Sequence, residues 1–253
     1  MLCALDSQNP TRFARGSRRA SDAQSEHEMK QNHELAIIDS WYINSEPWIE
    51  AVHGDEIKTR ILVTNKAVVD VILELNPRDV LDVGCGEGWL VRDLEGNGID
   101  ALGIDAIPRF VESAISEGKG RFLTLAYNEL CNASPGESFD VLVCNFSLFG
   151  KESVSSLFRI APQLLNKEGS FVIQTLHPVQ VQNGEQWSEG WRNGSWDGFN
   201  TNFSKPAPWY FRTLESWKDL FKEAGFGSLN IVEPINPETG EPASMIFVGS
   251  LCG

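Results

Sequence analysis

The stretch VLDVGCGEGWL, Val80 to Leu90, sets three glycines, Gly84, Gly86 and Gly88, between two acids, Asp82 and Glu87, and a tryptophan. Glycines placed directly after a strand let the backbone turn sharply and pass close to a ligand. The helix that follows then points its free N–H groups at that ligand. A loop built for a pyrophosphate has the spacing G-x-G-x-x-G. Here the third glycine comes one residue early and Trp89 stands in its place. Carboxylates beside the turn suit a cation better than a phosphate. Cys85, between two of the glycines, invites a reading as a nucleophile. That reading fails because the position needs a small residue and no histidine is near in sequence to act as its base.

The elements that must position this loop alternate. Ile61, Leu62, Val68, Val71, Ile72 and Leu75 recur at helical spacing until Asn76-Pro77, which predicts a helix over Thr59–Leu75 feeding a strand at Val80–Val83. A helix from Trp89 follows, then a strand at Ala101–Ile104 and a helix opened by Pro108. Further strands are expected at Arg121–Leu125, Phe139–Cys144 and Ser170–Thr175, with a helix over Val154–Leu165. This rhythm predicts an α/β fold: a Rossmann-like, doubly wound sheet, mostly parallel, with helices on both faces. After Leu176 it breaks into a polar, aromatic-rich insert at about 177–211. A helix from Leu214 comes next, then two strands, Ser228–Val232 and Met245–Ser250, with no helical pattern between them, so they are expected as antiparallel neighbours.

Of the 253 residues, 42% are apolar and 22% charged, and no apolar run is long enough to span a bilayer. The net charge of −14 disfavours a nucleic-acid partner, since such binding rests on phosphate neutralisation by Lys and Arg. Arg12, Arg15, Arg18 and Arg19 lie in a polar leader, residues 1–33. The leader has too little apolar content to pack and reads as disordered, with a targeting signal as the alternative, which Asp6 and Asp22 weaken. The folded core, with the insert within it, is expected to run over 34–253. Five scattered cysteines, Cys3, Cys85, Cys131, Cys144 and Cys252, with no C-x-x-C pair, suit a reducing, cytoplasmic setting and no zinc site. No Asp/Glu pair at strand ends calls for another metal.

Val80-Leu81-Asp82-Val83-Gly84-Cys85-Gly86-Glu87-Gly88 resembles motif I of the class I S-adenosylmethionine-dependent methyltransferases. Gly103-Ile104-Asp105 is similar to that family's second-strand acid, Ser138 to Val143 to its fourth strand, and Leu164 to Ser170 to its turn into strand five. SWYINSEPWIEAV, LHP and PWYFRTLESW resemble a bacterial subgroup that acts on small molecules. The resemblance spans residues 34 to the C-terminus. It implies S-adenosylmethionine as cofactor, a small-molecule methyl acceptor methylated at oxygen, and neither nucleic acid nor membrane as partner. A non-catalytic cofactor-binding member and an NAD-type oxidoreductase are the rival readings.

On this resemblance the cofactor touches Asp82, Gly84, Cys85, Gly86, Glu87 and Gly88. Asp105 takes the ribose hydroxyls, with helix capping as its structural alternative. Ala106, Ala126, Tyr127 and Asn145 line the rest. The family's usual acid after strand three is absent, so Tyr127 either stacks on the adenine or fills the sheet edge. The double proline of many amino-group methyltransferases is absent after Asn145. Pro178 holds His177 extended at the carboxyl edge of the sheet, where a histidine suits removal of the acceptor's proton; bonding to loop backbone is the alternative. Trp41, Trp48, Trp187, Trp191, Trp196, Trp209, Tyr210 and Phe211 are expected as walls of an acceptor lid or as a satellite core. Arg212 either clamps an acidic acceptor group or pairs with an acid.

Overall fold

The computed structural model describes residues 33–130, 136–178, 181, 187–199 and 202–252. The leader, apart from His33, lies outside the described residues, as do Cys3, Cys131 and parts of the insert.

Seven strands form one sheet. They are β1 (Asp79–Val83), β2 (Asp100–Asp105), β3 (Arg121–Thr124), β4 (Phe139–Asn145), β5 (Leu165–Thr175), β8 (Ser228–Val232) and β9 (Met245–Ser250), in the order β3-β2-β1-β4-β5-β9-β8. The first five pair in parallel, and β9 runs antiparallel between β5 and β8. The reversal of order beside β1 is the crevice where open α/β sheets bind ligands at their carboxyl ends. The insert adds a short antiparallel pair, β6 (Gly190–Arg192) with β7 (Trp209–Phe211), in which Trp191 sits opposite Tyr210. The sequence shows no strand pattern there, because three residues are too few to display alternation.

One face of the sheet buries Leu81, Leu142, Phe171 and Phe247 against α6 (Glu152–Leu164) and α7 (Leu214–Glu223), through Phe158, Trp217 and Phe221. The other buries Val80, Val141, Val143 and Val172 against α3 (Asn65–Glu74) and α4 (Trp89–Gly96). Full burial of each such side chain contributes about 1.5–3 kcal/mol. Removing either helical layer would expose several at once. A third helix, α5 (Pro108–Ser116), starts with its proline in the first turn and packs Phe110 on Ile49 of α2 (Ser45–His53).

Three departures from expectation have physical causes. The helix expected over Thr59–Leu75 begins as a π-helical turn, Arg60–Thr64, which runs directly into α3. Strand β5 starts at Leu165, five residues before the expected Ser170. The turn residues are absorbed as a register shift between the Phe139–Leu165 and Val141–Ser170 pairs, with Glu168 at φ 67°. At the front, His33 belongs to the folded part: residues 33–43 form α1, and the His33 ring stacks on Trp191 with centroids 4.5 Å apart. Glu34 accepts hydrogen bonds from the backbone N–H groups of Lys151 and Glu152 (2.8 Å each) and from Ser153 Oγ (2.7 Å), so α1 caps the start of α6 from outside.

Candidate active site

The loop after β1 is pinned to β2 by Gly84 N and Cys85 N, both donating to the Ile104 carbonyl (2.8 and 3.0 Å). Gly84 and Gly88 have φ of 79° and 83°, and each faces a neighbour that a side chain would strike. A Cβ on Gly84 would fall 2.4 Å from the Ser147 Cβ; on Gly88 it would fall 2.7 Å from the Phe122 ring and 2.8 Å from Ala114. The early third glycine therefore answers to helix and strand packing as well as to a ligand.

Three carboxylates meet here with little water. Asp82 is 1% exposed and its Oδ1 has no hydrogen-bond partner. Glu87 is equally buried, and its Oε1 likewise accepts no hydrogen bond, with the Arg92 guanidinium 3.6 Å away. Asp105 accepts from Gly86 N and Ile107 N (2.9 Å each), so it braces both the glycine loop and the entry to α5. Burial lifts all three acids above the ordinary carboxylate range, Asp105 to about 6; Asp82 is raised further by the charges of Asp105 and Glu87. A buried acceptor without a donor costs free energy. A ligand bringing positive charge and N–H donors offsets that cost, so the cradle fits the α-amino end and sulfonium of S-adenosylmethionine. A cavity of about 190 Å³ opens beside the loop, lined by His53, Arg60, Asn65, Glu87, Trp89 and Arg92 among others.

Cys85 is buried, and its thiol pKa is pushed well up by burial and by the three acids, which keeps it protonated and agrees with its rejection as a nucleophile. Tyr127 turns its hydroxyl inward, donating to the Ser147 carbonyl (2.5 Å) close to Gly84. Its ring packs on the core beside the sheet edge. Ala126 N donates to Glu129, and Ala106 follows Asp105 at the rim. Asn145 ends β4 with its Oδ1 unpartnered, and Phe146 next to it holds φ 52°, a left-handed conformation uncommon outside glycine.

The aromatic residues divide. Trp41 touches Trp48, Phe110, Phe149 and Trp196, with ring centroids 5.2 to 6.2 Å apart, and Phe199 joins Trp48 and Trp196. Trp48 Nε1 reaches within 4.0 Å of the Cβ position on Gly86, so this group borders the glycine loop. Arg60 lies over both Trp48 and Trp89. Asn44, fully buried, ties the helices to the insert: its Nδ2 donates to the Ser204 carbonyl (2.7 Å) and its Oδ1 accepts from Ser204 N (2.8 Å). Trp187 instead packs on Trp209 and Phe211 under Arg192, and Trp191 lies between His33 and Tyr210. Of the expected wall residues, Trp41, Trp48 and Trp196 are placed in the group beside the loop.

Arg212 neither pairs with an acid through a hydrogen bond nor stands open to a ligand. It is buried, donates to the Gly150 and Lys151 carbonyls (2.9 and 3.0 Å) and lies over the rings of Tyr210 and Trp217. Burial lowers its pKa to about 10. Arg212 follows β7, and its guanidinium reaches the connection from β4 to α6, where it adds to the Ser155 N and Oγ donors on the Lys151 carbonyl. His177, two residues past β5, is buried and its Nε2 lies 2.8 Å from Glu233 Oε1, beyond β8. Glu233 beside His177, and Phe149, Phe199, Arg60 and Asn44 around the Trp41 group, are not singled out from the sequence. Only long-range pairing brings them there, and no local spacing signals it.

A family model described as a methyltransferase domain matches residues 60–229. Among curated relatives, an uncharacterized methyltransferase of Schizosaccharomyces pombe is 24% identical over 195 residues, 69% of each chain. A ubiquinone biosynthesis O-methyltransferase of Methylococcus capsulatus is 33% identical over 40% of this chain and 44% of its own. A tRNA U34 carboxymethyltransferase of Shewanella pealeana is 32% identical over 51% of this chain and 42% of its own. The chain thus spans under half the length of the last two. The fold is similar to that of an S-adenosylmethionine dependent methyltransferase from Listeria monocytogenes, with a TM-score of 0.57 at 20% identity over 71% of this chain and 93% of that one. With the glycine cradle and sheet order in place, these matches show that the chain belongs to the methyltransferase domain family, as a Rossmann-like, S-adenosylmethionine-dependent methyltransferase.

Proposed function

We propose that this enzyme methylates an oxygen of a small molecule held between the carboxyl edge of β4 and β5 and the Trp41 group. The observation that carries the reading is the dry, acidic glycine cradle, Asp82, Gly84–Gly88 and Asp105, bordered directly by Trp48. The cofactor supplies an electrophilic methyl group on a sulfonium, whose charge disappears as the acceptor oxygen forms its bond to carbon and the carbon–sulfur bond breaks. The chain's own residues bind, align and exclude water. Asp82 and Glu87 hold the cationic end. Asp105 keeps a lone pair on each oxygen for the ribose hydroxyls, with Ala106, Ala126, Tyr127 and Asn145 around the nucleoside. The Trp41 group, fastened by Asn44 to residues 203–205, closes over the loop.

His177 takes the acceptor's proton, and the Glu233 carboxylate on its Nε2 stabilises the imidazolium that results. The acidic surface repels tRNA-sized polyanions, which supports the small-molecule reading. Among the described residues Cys85, Cys144 and Cys252 are free thiols, which suits the cytoplasm; no helix there is long and apolar enough to cross a membrane.

Calorimetry tests the cradle: S-adenosylhomocysteine should bind while NAD does not, and Asp105→Ala should weaken binding by about 1.5–3 kcal/mol, the scale of charge-assisted hydrogen bonds. Unchanged affinity would remove the ribose role. With an acceptor in hand, His177→Ala should lower kcat by roughly 10²-fold or more and leave cofactor affinity unchanged.

A further inference from the structure

Phe146, the first residue past β4, is held in a conformation that its residue type resists. Its φ of 52° lies in the left-handed region, where a bulky side chain costs free energy and persists only when the surroundings over-determine it. They do so here. Phe146 N donates to the Gln174 carbonyl of β5 (2.9 Å), which ties the residue on one side. On the other side Ser147 Oγ donates to the Val83 carbonyl at the end of β1 (2.7 Å), and the Ser147 carbonyl accepts from the Tyr127 hydroxyl (2.5 Å). The Ser147 Cβ also lies 2.4 Å from the Cβ position on Gly84, so Phe146 is one residue away from contact with the glycine loop. Bonds to β1, to β5 and to Tyr127 thus fix one strained residue beside the point where the sheet order reverses.

What these bonds hold in place is an aromatic ring without a place in the core. Phe146 is half-buried, belongs to none of the three apolar clusters, and stacks on no other aromatic ring among the described residues. Phe149, in the same connection, shows the contrast: its ring meets Trp41 with centroids 5.6 Å apart. A phenylalanine that served only to fill the core would need no such backbone. Strain held at a ligand-binding edge, on a side chain that the apolar clusters leave out, points to a ligand for that side chain. The ring offers no charge and no hydrogen-bonding atom, only a flat apolar face. The partner that matches such a face is another ring, stacked offset or edge-on.

We infer that Phe146 determines acceptor specificity: its ring stacks on a planar aromatic ring that carries the methylated hydroxyl, and the left-handed backbone aims it there. The inference rests on the reading that the acceptor binds at the carboxyl edge of β4 and β5. Its test uses the full chain saturated with S-adenosylhomocysteine and paired probes that share a hydroxyl and a carbon skeleton and differ in flatness: p-cresol against trans-4-methylcyclohexanol, and 2-naphthol against trans-decahydro-2-naphthol. Calorimetry should show the flat member of at least one pair binding about fivefold or more tighter, the scale of ring stacking. Phe146→Tyr should keep that preference. Phe146→Leu, which retains apolar volume, and Phe146→Asn, which suits the left-handed backbone, should both reduce it to about twofold or less with S-adenosylhomocysteine affinity unchanged. Phe146→Asn should also leave the melting temperature within about 3 °C of wild type, whereas loss of a ring packed in the core would lower it by roughly 8 °C or more. Such a melting loss would overturn the inference. So would flat and saturated members binding alike, neither member binding, or variants that lose S-adenosylhomocysteine along with the preference. A preference that survives Phe146→Leu and Phe146→Asn and falls in Trp41→Leu would also overturn it, leaving the acceptor's place intact and giving the stacking to Trp41. Failure of the wild-type chain to bind S-adenosylhomocysteine at all would instead overturn the methyltransferase site on which the inference rests.

Discussion

The two aromatic groups of this protein are drawn largely from the same insert and are both rich in tryptophan, yet they have different surroundings. Trp196, Phe199 and Phe203 join Trp41 and Trp48 of the N-terminal helices and border the glycine loop. Trp187, Trp191, Trp209, Tyr210 and Phe211 gather instead around β6 and β7, and three of these rings lie under the protein's own cations. Arg192 covers Trp187 and Phe211, while Lys151 and Arg212 cover Tyr210. Arg60 lies over Trp48 in the same way, so what separates the groups is contact with the glycine loop, which Trp48 makes beside Gly86. The difference teaches that partners, and not residue type, separate a binding wall from a satellite core.

The comparison breaks most visibly at Arg212. Arg212→Met removes two charge-assisted hydrogen bonds, from the Gly150 carbonyl and from the Lys151 carbonyl, which keeps Ser155 N and Oγ, and should cost about 3 kcal/mol. The melting temperature should fall by roughly 6–12 °C with cofactor affinity unchanged. A normal melt with lost turnover would return Arg212 to the acceptor site. Trp187→Ala, on the same side, should cost about 2 kcal/mol for a half-buried ring and leave the acceptor's KM alone; a raised KM at normal stability would place the β6–β7 group in the lid.

Across the divide the signs reverse. Trp41→Leu should raise the KM of any established acceptor by about tenfold, or about 1.4 kcal/mol, while the melting point moves by only a few degrees. A large loss of stability with intact kinetics would make the Trp41 group structural as well. The smallest effect is the pH response of the loop. Asp105 titrates near 6 when folded and near its ordinary value of 3.8 when unfolded, because burial disfavours its charge. The folded chain therefore binds the extra proton between those values, and this group's stabilising contribution is full below about pH 4 and is lost as pH rises through about 6. Ribose hydroxyls need the ionised form as acceptor, so S-adenosylhomocysteine affinity should drop up to about tenfold from pH 7 to pH 5. Asp105→Asn should abolish that slope. A slope that persists would assign the titration to Asp82 or Glu87.

Much of the fold is legible in the sequence because its signals are local. The glycine loop, the βα alternation and the final strand pair, Ser228–Val232 with Met245–Ser250, all follow from spacing within a few residues. The glycine turn with its acids is legible for the same reason, since Asp82 to Gly88 is one short run of chain. The acceptor side is not. Whether Tyr127 turns its hydroxyl to the Ser147 carbonyl or its ring to a ligand is decided by contacts across 20 residues. Arg212 finds its carbonyls 61 and 62 residues away, and His177 finds Glu233 after 56. A charged side chain in sequence advertises its chemistry and says nothing of its partner.

The capping of α6 by Glu34 bridges 117 to 119 positions of chain. Contacts at such separation must wait for the intervening chain to be ordered, so they add to contact order and form after the transition state's local helices and strands. Residues 33–43 should then be among the last to dock in refolding and among the first to open in native-state hydrogen exchange. Because α1 carries Trp41 at its far end, each such opening would also unlatch the aromatic cover from the glycine loop, tying the exchange rate of one terminal helix to the dwell time of the bound cofactor.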